Sequence, residues 1–126
     1  METVIANRDA RKYVNNLELF KGSNIFSMLK PSNDNVHTTR YVVYSYGTHF
    51  PMYICEIAPD GSRQWYRNID KYSPTTSKHM TQCRPDADCL PMDTNSMRRI
   101  AMYGIKGVTL DLPMLLNINI LIGEGT

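Results

Sequence analysis

Apolar residues recur at three- and four-residue steps from Ala10 through Tyr13, Val14 and Leu17 to Phe20, with Arg8, Arg11, Lys12, Asn15 and Glu18 on the other side. That spacing predicts an amphipathic helix. Asn7 is placed to cap its start, and Gly22 to supply a left-handed residue past its end. Asn24-Ile25-Phe26 then reads as a short connector and Lys30 to Asn35 as a polar loop.

The period changes at Arg40. Arg40 to Tyr46, Met52 to Ile57 and Gln64 to Ile69 are rich in β-branched and aromatic residues and predict three strands. Gly47 and Pro51 bracket the first corner. Pro59-Asp60-Gly61-Ser62 makes the second, where proline fixes one dihedral and glycine supplies a positive φ. Short links between consecutive strands imply an antiparallel meander.

Tyr72-Ser73-Pro74 ends the third strand, and Thr75 or Thr76 is placed to cap a short helix through Lys78, His79 and Gln82. Residues 84–88 read as loop. A second clear helix starts at Asp93 or Thr94, buries Met97, Ile100 and Ala101, and stops at Gly104. In the tail, Leu116, Ile118, Ile120 and Ile122 alternate with Asn117 and Asn119 as in a strand, while Asp111 and Pro113 equally permit a helix.

The fold class that follows is α+β in a single domain, 1–126. A small antiparallel sheet of three or more strands packs with an N-terminal helix and a helix in the C-terminal half. Tyr13, Val14, Leu17 and Phe20 are expected to meet Val43, Met52, Ile54 and Ile100 in one core. An apolar C-terminal strand would leave an edge that a homodimer or another protein could pair.

Composition bounds the function classes. With 42% apolar and 21% charged residues and a net charge of +2, the chain resembles an average globular protein and is too weakly basic to coat nucleic acid along its whole surface. No run approaches the ~18 apolar residues of a membrane helix. The opening residues lack a basic start and a long apolar stretch, and three cysteines suit reduced thiols, so a cytoplasmic location is expected.

Charge is segregated rather than abundant. Between Gly61 and Arg84, five cations (Arg63, Arg67, Lys71, Lys78, Arg84) face one acid, Asp70. Tyr66, Tyr72, Thr75, Thr76 and His79 lie in the same span. Cations, aromatic faces and hydroxyls at this density are what an anionic ligand with planar bases needs. In a strand, Tyr66 and Asn68 would share one face, with Lys71 and Tyr72 just beyond. The competing account is an ordinary solvated sheet face.

Two blocks resemble a family of small tailed-bacteriophage proteins. They are Tyr41-Val42-Val43-Tyr44-Ser45-Tyr46-Gly47-Thr48-His49-Phe50-Pro51-Met52-Tyr53, and Asp70-Lys71-Tyr72-Ser73-Pro74-Thr75-Thr76-Ser77-Lys78-His79 after Trp65-Tyr66. The resemblance implies a phage origin and hence a bacterial host cytoplasm. It carries over no reaction and no ligand.

Other chemistry is less well supported. His37-Thr38-Thr39 and His79-Met80-Thr81 each fit the His-x-Thr pattern of two-histidine phosphoesterases, at closer spacing than duplicated lobes suggest. His79, Cys83 and Cys89, with Asp86 and Asp88, include zinc-type ligands, but the tight Cys-x2-Cys knuckle is absent. The expectation is therefore no enzyme, no metal and no cofactor. A non-enzymatic phage protein would bind an anionic ligand, best nucleic acid, through residues 63–84. The alternative is a small phage protein that binds and inhibits a host defence or transcription protein.

Overall fold

A computed structural model describes residues 2–71 and 73–108. The expected C-terminal strand or helix over 111–122, and the homodimer resting on it, lie outside the described residues, as does Tyr72. Among the described residues, seven strands form one mixed sheet in sequence order. They are β1 (Thr3–Val4), β2 (Phe20–Lys21), β3 (Ile25–Lys30), β4 (Thr39–Ser45), β5 (Pro51–Ile57), β6 (Arg63–Asn68) and β7 (Cys89–Met92). Three α-helices are α1 (Ala10–Asn15), α2 (Pro74–Cys83) and α3 (Thr94–Tyr103). The α+β class holds, but the sheet is larger than expected and only its middle is antiparallel.

The expected meander is the β4–β5–β6 ladder. Gly61 turns it at φ 89°, the positive dihedral that the sequence assigned to it. Val43 pairs with Tyr53 and Tyr44 with Pro51, so Met52 is an extra residue at a bulge. Parallel pairs close the sheet at each end, β1 with β2 and β6 with β7. Each needs a long crossover, supplied by α1 and by α2. Both crossovers step the same way across the sheet between strands of the same direction. One handedness therefore puts both helices on one face.

The core is split by the sheet rather than continuous. Ala10, Val14, Phe20, Val43, Met52, Cys55, Trp65 and Cys83 form one buried cluster on the α1–α2 side. Val42, Tyr44, Ile54, Tyr66, Met97 and Ile100 form another on the α3 side. Ile54 and Ile100 thus do not meet Val14 and Phe20 as expected, because successive strand residues point to opposite faces.

The first helix is also shorter than its pattern. Leu17 takes φ 55° just past α1, and Phe20 belongs to β2. The left-handed residue is therefore Leu17, not Gly22. Gly22 is needed for closeness instead, since a β-carbon there would run into Asn7 Oδ1. Asn7 caps no helix; its amide clamps Ser23, donating to Ser23 O (3.0 Å) and accepting from Ser23 N (2.7 Å). No helix among the described residues is long and apolar enough to cross a membrane.

Candidate functional site

Helix α2 organises the site. Ser73 precedes it with Oγ accepting from Thr76 N at 3.1 Å, and Pro74 occupies the first turn, where its missing N–H costs nothing. The cap is thus Ser73, not Thr75 or Thr76. Thr76, His79 and Cys83 turn inward at helical spacing, and all three are buried.

Thr75, Lys78, His79 and Gln82 line a cavity of about 320 Å³ whose opposite wall is Ala6, Asn7 and Arg8. Around the helix, Thr81 and Arg84 join Tyr53, Arg67, Asp88 and Cys89 in a second cavity of about 620 Å³. Arg8, Arg67, Lys78 and Arg84 are all exposed. The only ion pair among the described residues joins Arg11 to Asp86, so none of these four is neutralised in that way.

His79 is held from behind. Its Nδ1 lies 2.8 Å from Ser45 Oγ, which lies 3.5 Å from Thr76 Oγ1, which in turn accepts from Ser73 Oγ at 3.1 Å. Burial, and secondarily the Lys78 charge, lower its pKa, which favours the neutral imidazole. The Tyr46 ring leans on His79 with centroids 5.4 Å apart and is 46% exposed, enough to receive a planar group. Tyr46 has φ 70°, a left-handed conformation costing a non-glycine residue about 1–2 kcal/mol. Its N–H donates to Asn24 O at 2.7 Å and holds the turn in place.

The structure disperses the residues singled out from sequence. Lys78, Thr75 and His79 share one cavity; Arg67 and Arg84 share the other. Lys71 is exposed in the link between β6 and α2. Tyr66 cannot stack on a base: it is 3% exposed, with its hydroxyl donating to Glu56 Oε1 at 3.3 Å. Asn68 is buried beside it under α3, so the expected Tyr66–Asn68 binding face is part of the core. Thr76 is 1% exposed and contributes through the hydroxyl chain rather than by touching a ligand.

Arg63 lines a third cavity, about 470 Å³, with His37, Thr38, Glu56 and Lys106. The buried polar groups beneath it are already engaged. Glu56 accepts from Thr38 Oγ1 at 2.6 Å and from Ile105 N at 3.2 Å, while buried Arg40 donates to Ala101 O and Thr38 O. His37 and His79 therefore belong to separate cavities, and the two His-x-Thr triplets build no joint site. His79 and Cys89 are likewise apart, and among the described residues no three His, Cys, Asp or Glu converge on a metal position. Cys55 and Cys83 are buried thiols, pushed up by burial to about 11 and about 12.

Sequence reasoning missed Arg8, Ser45 and Tyr46. Ser45 reaches His79 across 34 residues of chain, a pairing that no local pattern announces. Tyr46, at the end of the expected strand, lies past β4 in a left-handed turn, with its ring against His79 of α2.

The model of a family of unknown function, DUF8033, matches residues 2–89. That stretch contains Arg8, Tyr46, Arg67, all of α2 and Arg84. Comparisons with curated proteins and with solved structures return no match.

Proposed function

We propose that this chain, which belongs to the DUF8033 family of unknown function, is a non-enzymatic protein that binds nucleic acid along α2. The observation that carries this reading is the pairing of cations on both flanks of one helix: Lys78 with Arg8, and Arg84 with Arg67. None of them is in an ion pair among the described residues. Cations in such an array contact successive phosphates, and the exposed Tyr46 ring supplies a stacking surface for a base. Lys71 extends the array toward β6. The resemblance to tailed-phage proteins suggests a phage accessory protein, and three unpaired thiols suit the reducing cytoplasm of a bacterial host.

Titration of a labelled single-stranded oligonucleotide at rising salt tests the reading. Affinity should fall steeply with ionic strength. Lys78→Glu with Arg84→Glu should weaken binding at least roughly tenfold, in line with losing two phosphate contacts. Arg63→Glu, at the third cavity, should change it little. A flat salt response, or equal loss from Arg63→Glu, contradicts the proposal.

A second reading, a protein that grips and inhibits a host factor, has its own observation. Met102 and Tyr103 at the end of α3 are 59% and 53% exposed. A nuclease-resistant protein partner lost on Tyr103→Glu would favour it.

A further inference from the structure

We propose that the cavity between Arg8 and α2 binds a phosphomonoester, the terminal phosphate of a nucleic-acid strand or of a mononucleotide. This deepens the nucleic-acid reading and rests on it for the identity of the ligand.

A chain of hydroxyls leads to the back of the His79 ring. Ser73 Oγ accepts from Thr76 N, so its own proton goes to Thr76 Oγ1. Thr76 Oγ1 and Ser45 Oγ lie 3.5 Å apart, and Ser45 Oγ and His79 Nδ1 2.8 Å apart; either partner of each pair can donate. With the Ser45 hydroxyl as donor, Nδ1 is the acceptor. The neutral imidazole must then carry its proton on Nε2. Among the described residues nothing accepts that proton. His79 is 4% exposed and lines the cavity wall.

The cavity therefore offers four donors: the Nε2–H, the Thr75 hydroxyl, the Lys78 ammonium and the Arg8 guanidinium. Two fixed positive charges match a dianion, and four donors suit three terminal oxygens better than the two of a phosphodiester. The volume sits at the low end of the about 300–1,000 Å³ range of ligand pockets, room for a phosphate and its sugar. A base directed out of the cavity beside His79 would meet the Tyr46 ring. In the same wall, Gln82 Oε1 is buried without a hydrogen-bond partner among the described residues.

The test compares one oligodeoxynucleotide with a 5′-phosphate, a 3′-phosphate or neither end phosphorylated, at one salt concentration. Adenosine 5′-monophosphate serves as a separate probe, followed by NMR of the imidazole nitrogens. A phosphorylated end should bind roughly tenfold tighter than the unphosphorylated strand, as one charge-assisted contact set predicts. Arg8→Ala and Lys78→Ala, both at exposed positions, should erase that preference while the folded spectrum is unchanged. Ser45→Ala tests its positioning role: the Nε2 proton signal should lose its single tautomer. Equal affinity of all three strands, with a steep salt response intact, overturns the pocket and leaves the nucleic-acid reading. Mononucleotide binding at His79 without strand binding retains the pocket and rejects the broader reading. Failure of every probe sinks both.

Discussion

On the α3 side of the sheet, Arg40, Glu56, Tyr66 and Asn68 are buried and engaged with one another or with backbone carbonyls. On the α1–α2 side, Arg8, Arg67, Lys78 and Arg84 stand at cavity walls without an ion pair among the described residues. The same β-ladder feeds both faces, because successive residues alternate: Trp65 and Arg67 go to one side, Tyr66 and Asn68 to the other. Cavity volume does not separate the two sides. Satisfaction does. A buried polar group whose partners are supplied by the fold stabilises the fold, whereas accessible cations lacking such partners remain available to a ligand.

The sharpest way to break this contrast is to remove the hub of the α3 side. Glu56→Ala should destabilise the protein by about 2–4 kcal/mol, since it orphans the Thr38 and Tyr66 hydroxyls and the Ile105 amide. Urea denaturation measures the loss, and oligonucleotide affinity of the folded fraction should stay near wild type. A large loss of affinity with little loss of stability would reverse the assignment of the faces.

Next in size is Gly104→Ala. Gly104 ends α3 at φ 77°, ψ 178°, a region that is nearly glycine-only, and a methyl group there would run into Glu56 Oε2. A cost of about 2 kcal/mol or more is expected in the same denaturation experiment. An unchanged midpoint would mean that the Glu56 contact is looser than the geometry implies.

Tyr46→Gly separates backbone strain from ring chemistry on the other face. Glycine relieves the left-handed dihedral but makes the unfolded chain more flexible, so stability should move by less than about 1 kcal/mol. Strand affinity should fall by roughly 1 kcal/mol or more, the value of one stacked base. Unchanged affinity would remove Tyr46 from the site.

The smallest effect concerns pH. His79 is faced by Ser45 from β4, by Thr76 and Lys78 on its own helix, by the Tyr46 ring, and by Arg8 across the cavity. Burial, then the Lys78 charge, puts its folded pKa below the ordinary 6.5, so the unfolded chain takes up the proton first. Stability is therefore intact above about 6.5 and declines as pH falls below that value toward the folded pKa. His79→Gln should flatten the decline in urea midpoint over this window. An identical decline in the variant would assign it to other groups.

How much of this was legible follows from what local pattern encodes. The meander, the Gly61 turn, and α3 from Asp93 to Gly104 are written in alternation, turn residues and caps, and they lie where those signals put them. Strand β3 escaped notice because Ile25 and Ser27 are buried on one face while Phe26 and Met28 are partly buried on the other, which erases the alternation. Strand β7 contains Pro91, which only an edge strand tolerates, and edge position is a tertiary fact. The cations of 63–84 were visible as composition. Their division between three cavities was not, because it depends on which side of the sheet each residue faces and where α2 crosses it.

Backbone and side-chain NMR of the protein titrated with a single-stranded oligonucleotide tests the central claim most directly. Perturbations should concentrate at Arg8, Tyr46, Arg67 and along Thr75 to Arg84, leaving His37, Arg63 and Lys106 unmoved. Shifts confined to those last three, or none at all under low-salt conditions, would contradict the assignment of the α2 side as the binding surface.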